Sequence, residues 1–358
     1  MSSSDPDDRV LRARSRRGRA TLLFALAASA LAVAVTWTAF GARRPAGGAV
    51  QVEVRPVPLD PADPARTSVG ELVYRGGLWL VSHDTRFGGL SDLRVSGDGR
   101  TVYAVSDCGR GFTAKLSYDA AGRLAGLSDA QLVDLTSPDG RVLAGADIDS
   151  ESLVREGAFL DVGFEGRPRV LRYRLDPPFT GPPRLMPIPA GVSACGENEG
   201  LETMTALGDG RRLLVCEGRR AASETVPAWI GEDGHWVGRS YPLLFEGGWA
   251  GEPFRPTSAS LLPGGDVLVA ERRYPPLGVR IVRLTRANLE GNGPLQPHQI
   301  ARFEMPLTFD NFEGIDARQD GTGVTLVYLV SDDNNCGKPI LYGPERQRTL
   351  LLMFALSD

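Results

Sequence analysis

The sequence predicts an all-β protein, a five-bladed propeller behind one hydrophobic N-terminal segment. Three observations predict it. A hairpin unit with a charged or polar edge recurs along the chain. No stretch keeps a 3.6-residue apolar period over eleven or more positions, so long helices are not expected in the body. Gly and Pro are abundant, at 43 and 26 of 358 residues, which suits many turns.

The unit is clearest at Leu307–Asn335, where Asn311, Glu313 and Gly314 lead through Asp320-Gly321 to the apolar run Val324–Val330 and then Ser331-Asp332-Asp333. Apolar runs bounded by Asp/Gly clusters are hairpin signals. The same order appears from Gly88-Gly89-Leu90 to Ser106-Asp107, from Glu199-Gly200-Leu201 to Cys216-Glu217, and from Pro256-Thr257-Ser258 to Glu271-Arg272. A weaker copy runs from Asp149-Ser150-Glu151 to Val162. Taken at positions 89, 152, 200, 257 and 314, the spacings are 63, 48, 57 and 57. Propeller blades repeat every ~40–50 residues plus insertions. Five units give five blades, or six if the two early strands build a blade of their own.

In chain order, residues 1–19 form a basic tail. Ala20–Phe40 is free of charge and long enough to span a bilayer. Six Arg precede it and two follow, which places the tail in the cytoplasm and the body outside. The segment is a transmembrane signal-anchor or a signal peptide cut near Ala39-Phe40-Gly41. Residues 1–44 carry eight Arg against three Asp, a net of +5; the total of −4 leaves −9 for the rest. That acidic body argues against nucleic-acid binding. Residues 41–68, rich in Pro, Ala and Asp, read as a linker with one short strand at Gln51–Val57.

The propeller domain spans 69–358. Gly70–Tyr74 and Leu78–Ser82 are early strands. After the hairpins come further strands at Thr113–Tyr118, Gln131–Leu135, Val170–Leu175, Ala228–Gly231, Trp236–Leu244, Val279–Leu284 and Gln299–Phe303. A propeller ring closes when one end of the chain completes the blade begun by the other. Gly70–Ser82 is the partner expected for the last apolar run, Leu350–Leu356.

FGGLSDL (87–93), NEGLETM (198–204), VLVAERRYPPLGVRI (267–281) and NFEGIDA…LVSDDN (311–334) resemble the phytase-like propeller family, also called "esterase-like activity of phytase". The resemblance covers about residues 70–356. It implies an extracytoplasmic propeller with phosphoester or ester hydrolase activity.

The four cysteines allow three pairings, and an exported body favours disulfides. Cys108 and Cys336 both follow the second strand of their units, in the first and last blades, which the ring makes neighbours. Cys195 precedes one hairpin and Cys216 ends it. The repeat therefore predicts Cys108–Cys336 and Cys195–Cys216.

The repeat also gathers Asp107, Glu151, Glu199, Glu217, Glu271, Glu313, Asp332 and Asp333 at one edge. Hard oxygen clusters suit calcium. The expected ligands are Glu199, Glu313 and Asp332, with Asp333 as base or further ligand and Arg272 as anion clamp. Arg110, Arg273 and Lys338 are expected to bind an anionic or ester substrate. Ser258, not an acid, stands in the fourth unit, so the ring is incomplete. The same acids would serve as solvated rim residues in a protein without chemistry. Among three histidines only His83 can approach this edge, and there is no G-x-S-x-G elbow and no phosphate-binding G-x-x-x-x-G-K-[ST] loop. Trp79, Trp229, Trp236 and Trp249 fit core packing better than sugar stacking. Three functions are compatible with these residues: a calcium-assisted phosphoester or ester hydrolase, a non-catalytic binding or scaffold propeller at the cell envelope, and a sugar lactonase-type hydrolase.

Overall fold

The structure, a computed structural model, describes residues 47–195, 200–218, 224–246, 251–335 and 347–357. Pro45–Asp358 forms one unit. The tail and hydrophobic segment expected at 1–40 lie outside the described residues, as do Glu199, Cys336 and Lys338. Among the described residues, no helix is long and apolar enough to cross a membrane.

Five antiparallel sheets make five blades. Blade 1 is β5 (Leu90–Val95), β6 (Thr101–Ser106), β7 (Arg110–Tyr118) and β8 (Leu124–Asp134). Blade 2 is β9 (Ser150–Glu156), β10 (Phe159–Phe164), β11 (Arg169–Arg174) and β12 (Arg184–Met186). Blade 3 is β13 (Thr203–Ala206), β14 (Arg212–Val215), β15 (Thr225–Glu232) and β16 (His235–Pro242). Blade 4 is β17 (Arg255–Leu261), β18 (Val267–Arg273), β19 (Gly278–Leu284) and β20 (His298–Phe303). Blade 5 joins β21 (Phe312–Gln319), β22 (Thr325–Ser331) and β23 (Thr349–Leu356) to the early strand β4 (Leu72–Val81), which the two-residue strand β3 (Ser68–Val69) also pairs. Each predicted hairpin is the inner half of a blade. The two early strands are one continuous strand that completes blade 5, so no sixth blade exists among the described residues.

Ring closure is the predicted one: Leu350 lies opposite Trp79 and Leu351 opposite Leu78. Leu350, Leu351, Leu352 and Phe354 are each at most 2% exposed, and full burial of such a side chain contributes about 1.5–3 kcal/mol. The expected tether differs from what is found. β1 (Gly47–Ala49) adds an edge strand to blade 1 and β2 (Glu53–Pro56) adds one to blade 5. Val50 and Leu59 are buried with them. The stretch is therefore a second strap across the seam, because its few apolar residues have a sheet edge to cover.

Two features position the site. The first is a bulge at the start of the inner strand. Pairing skips one residue between Leu90 and Asp92, between Ser150 and Ser152, between Pro256 and Ser258, and between Phe312 and Gly314. The extra residues are Ser91, Glu151, Thr257 and Glu313. Bulges re-aim a side chain and recur beside functional sites. Gly314 follows its bulge because a Cβ there would meet Val330 Cγ1 at 2.6 Å and Asp92 Cα at 2.9 Å.

The second is a plug in the central channel. Arg94, 5% exposed, donates to Asp92 Oδ1 (3.0 Å), to the carbonyls of Ile315 (2.9 Å), Met204 (3.2 Å) and Ala259 (3.0 Å), and to that of Leu93. Asp92 in turn accepts from Leu153 N (2.7 Å) and Ser258 Oγ (2.8 Å). One ion pair thus touches the inner strands of all five blades and closes the channel below the mouth.

Candidate functional site

Register aligns the blades and shows what stands at the mouth. The residues opposite Val105, Gly163, Val215, Ala270 and Val330 are Asp92, Ser152, Thr203, Ser258 and Gly314. The residue before each forms an upper tier of five: Ser91, Glu151, Glu202, Thr257 and Glu313. The residue two positions after each of Val105, Gly163, Val215, Ala270 and Val330 forms another: Asp107, Glu165, Glu217, Arg272 and Asp332. Seven carboxylates and one guanidinium therefore face one mouth, with Asp149 and Asp333 beside them.

Their electrostatics follow from the proximity. Burial pushes Asp107 up to about 7, and Glu313, Asp149 and Asp333 push in the same direction. Burial lifts Glu165 to about 7 against a hydrogen bond from Gly200 N (3.0 Å), with Asp149, Glu217 and Glu313 adding to the rise. Glu151 and Glu202 are held well above the carboxylate range by burial first, then by neighbouring acids. Asp332 is raised in the same way by burial, Glu313 and Asp107, although Asn334 N donates to it at 2.7 Å. Glu313 is raised by burial and restrained by Arg272. Such a set lacks positive charge.

Arg272 is the cation placed among them. It donates to Glu313 (2.7 Å), Glu217 (3.0 Å) and Asn311 Oδ1 (2.8 Å). Burial opposes its charge, but Glu313, Glu217 and Glu202 hold it protonated. The expected anion clamp is thus in the mouth, already engaged by two carboxylates. Arg273, the next residue of the strand, points to the opposite face. It pairs with Glu246 (2.7 Å) and covers the Phe254 ring, away from the acids. Arg110 starts the third strand of blade 1, near Asp134 (3.4 Å), and donates to the Arg86 carbonyl (3.2 Å). Asp333 accepts from Gly89 N (2.9 Å) and Asn335 N (3.2 Å) and so ties blade 5 to blade 1. Glu271 is turned into the packing, where Arg280 and Tyr241 donate to it.

Cys195–Cys216 is a disulfide. Cys108 is disulfide-bonded as well; its predicted partner, Cys336, lies outside the described residues.

Sequence reasoning missed Glu202, Glu165 and Asp149. It matched Glu199-Gly200 to Glu313-Gly314 by likeness, whereas pairing puts Glu202 in the place of Glu313. The signal was the apolar residue just before the upper-tier position: Leu90, Leu201, Pro256 and Phe312 share it. Glu165 was lost because the weak second copy was followed only to Val162.

The donor set can hold a metal ion. One oxygen each from Asp149, Glu151 and Glu165 lie within 4.8 Å of one another, and so do oxygens of Glu165, Glu202 and Glu217. All are hard oxygen donors, and that chemistry fits a hard divalent cation rather than zinc or copper.

No curated protein matches the chain. Similar solved structures include Myxococcus xanthus glutaminyl cyclase, 14% identical over 77% of this chain and 94% of that one, with a TM-score of 0.39. Another is the PQQ-bound aldose sugar dehydrogenase of Streptomyces coelicolor, 15% identical over 85% and 99%, with a TM-score of 0.38. These likenesses carry no weight for activity. A family model described as phytase-like, "esterase-like activity of phytase", matches residues 85–335, and the chain belongs to that family.

Proposed function

We propose that this protein is an exported hydrolase of ester or phosphoester bonds whose acidic mouth works with calcium. The observation that carries this reading is the ring of seven buried or half-buried carboxylates around a closed cup, with one arginine among them. Ligands on the cation would be drawn from Asp149, Glu151, Glu165, Glu202 and Glu217, with Glu313 and Asp332 on the far side. The chemistry a bound calcium supplies is polarisation of a phosphoryl or carbonyl oxygen. Asp107 suits the exchange of a proton with water, because its affinity lies near neutrality. Asp333 suits that role less, being committed to two backbone N–H groups. Arg272 offers the mouth's positive side to an anionic group. The Arg94 plug makes substrate enter and product leave by the same opening. Export fits the disulfide, since such bonds persist in oxidising compartments, and the charge-free run at 20–40 would anchor or direct the body.

The test is the purified full chain assayed on phosphomonoesters, phytate, carboxyl esters and lactones, in calcium and in chelator. Calcium-dependent turnover of one class is expected. Inactivity on all four, with no metal in the purified protein, would overturn the reading in favour of a binding propeller.

A further inference from the structure

We propose that the face opposite the mouth, across blades 5, 1 and 2, is a docking track for a linear polymer with a phosphate backbone. Strand direction defines the two faces. The second strand of each blade ends at the mouth, so the first and third strands end on the far side. In blade 1, Arg100 and Arg123 stand on the far turns after β5 and β7, and Lys115 lies opposite Thr101 at the far start of β6. In blade 2, Arg155 and Arg174 stand at the far ends of β9 and β11, and Arg184 begins β12. In blade 5, Arg318 stands at the far end of β21 and Arg75 in the far half of β4.

These cations lack acids. Arg100, Lys115, Arg123, Arg155, Arg174 and Arg184 are exposed, and Arg75 and Arg318 are half-buried. Among the described residues, none of them is in an ion pair. Lys115 donates to Thr101 Oγ1 (2.9 Å) and Arg318 to the Tyr328 hydroxyl (3.0 Å), both neutral groups. Arginines at the mouth ends of the blades differ: Arg86 pairs with Asp84 (2.6 Å), Arg167 with Asp147 (3.3 Å) and Arg348 with Asp310 (3.2 Å). The far-side carboxylates are committed elsewhere. Asp98, Asp119 and Asp320 hold turns by accepting from the backbone N–H groups of Arg100 (3.0 Å), Arg123 (2.9 Å) and Thr322 (2.8 Å). Glu156 and Asp161 are neutralised by Arg172 and Arg212. Asp176 stands exposed beside Arg174 in sequence. The acidic balance of the body therefore conceals a positive arc behind the mouth.

The shape of the arc selects the partner. Its charges follow one another over three adjacent blades instead of converging on a point, which suits a chain of anions more than one small anion. Guanidinium groups match phosphate oxygens bidentately. A flat anionic lipid surface would also meet the far turns of blades 3 and 4, where Glu232 and Asp233 are exposed and Arg211 and Arg286 are already paired. Nucleic-acid bases would call for aromatic platforms, and the exposed aromatic ring of these blades, Phe159, is covered by Arg172. What remains is a phosphate polymer without bases.

The experiment is fluorescence anisotropy of labelled inorganic polyphosphate titrated with the full chain in neutral detergent. Chelator is present throughout, so that no divalent ion bridges phosphate to the mouth. Binding is expected to weaken with salt at a log–log slope of about −4, at roughly 0.7 for each phosphate met by an exposed cation. Replacing Arg100, Lys115 and Arg123 together by Ala should bring the slope to about −2 and cost at least ~10-fold in affinity at low salt, with an unchanged melting temperature. Arg286→Ala, on the same face but paired with Glu290 (2.7 Å), should bind as wild type. No binding at low salt, or a triple variant that binds as wild type, would overturn the proposal. So would tighter binding, per phosphate, of anionic phospholipid vesicles or of a single-stranded oligonucleotide. The hydrolase reading stands or falls separately, since this track lies on the other face and the assay involves no turnover.

Discussion

Raising the pH from 5 to 8 in the presence of a chelator should destabilise the propeller. Asp107 moves from 3.8 to about 7 on folding and Glu165 from 4.5 to about 7. For an acid raised in this way, the folded state holds a proton that the unfolded state has released. Stability then falls as pH rises between the unfolded value near 4 and the folded value near 7, and levels off above it. One pKa unit is about 1.4 kcal/mol, so each group alone costs up to about 3–4 kcal/mol. The two share a field with Glu151, Glu202, Glu313 and Asp332, so protonating one relieves the others. A net loss of ~3–4 kcal/mol is a reasonable total at this level of coupling. An unfolding entropy of ~2 cal/mol/K per residue converts this to a fall of ~5 °C in melting temperature for a body of this size. Carboxylates held low by neighbours, such as Asp84 and Asp98, lose their contribution only below about pH 4 and do not enter this window. The assay is scanning calorimetry at pH 5, 6, 7 and 8 in chelator, repeated in millimolar calcium. Calcium should abolish most of the fall, because it binds the ionised set. A melting temperature that is flat or rises from pH 5 to 8 in chelator would refute the electrostatic account of the mouth.

Two further outcomes follow from the scaffold. Arg94→Met removes every hydrogen bond that the guanidinium donates in the channel plug and leaves Asp92 buried without its cation. Breaking such a pair costs about 3–5 kcal/mol, read as a shifted denaturation midpoint, and Arg94→Met with Asp92→Asn should recover part of the loss. Replacing Cys195 and Cys216 together by Ala opens a link of sequence separation 21 and should cost about 3 kcal/mol on the chain-entropy account; an unchanged midpoint would show that blade 3 does not depend on it.

The blades were legible because a hairpin of apolar alternation and Asp/Gly turns is a local signal, repeated five times. Closure by Leu350–Leu356 was legible for the same reason: an unpaired apolar strand at each end of the chain can be satisfied only by the other. The mouth was half legible. Asp107, Glu217, Arg272 and Asp332 follow the end of an apolar run, and the end of a run can be counted. Glu202 could not be placed by counting: it stands one residue before β13, and only the pairing of Thr203 with Val215 aligns it with Glu151 and Glu313. Arg273 was misplaced by proximity in sequence, since adjacent strand residues face opposite ways. Of the strap at 47–56, the second strand was legible, since Gln51–Val57 reads as a short strand and holds β2; β1 and the pairing of both to the sheet edges were hidden, because edge strands need few apolar residues.

The asymmetry of the two tiers has a consequence for substrate. In the upper tier, blades 2, 3 and 5 carry Glu while blades 1 and 4 carry Ser91 and Thr257. At the strand end, only blade 4 carries a positive side chain. Negative charge is therefore densest at the seam of blades 2 and 3, and the hydroxyl and guanidinium side is blade 4. With cations at that seam, an anionic or polarised group would lie between them and Arg272, drawn from both directions. Without cations the same group would meet seven carboxylates and be repelled. A ring of identical acids would offer cation binding alone; the exceptions, Thr257 and Arg272 in one blade, are what give the mouth a direction.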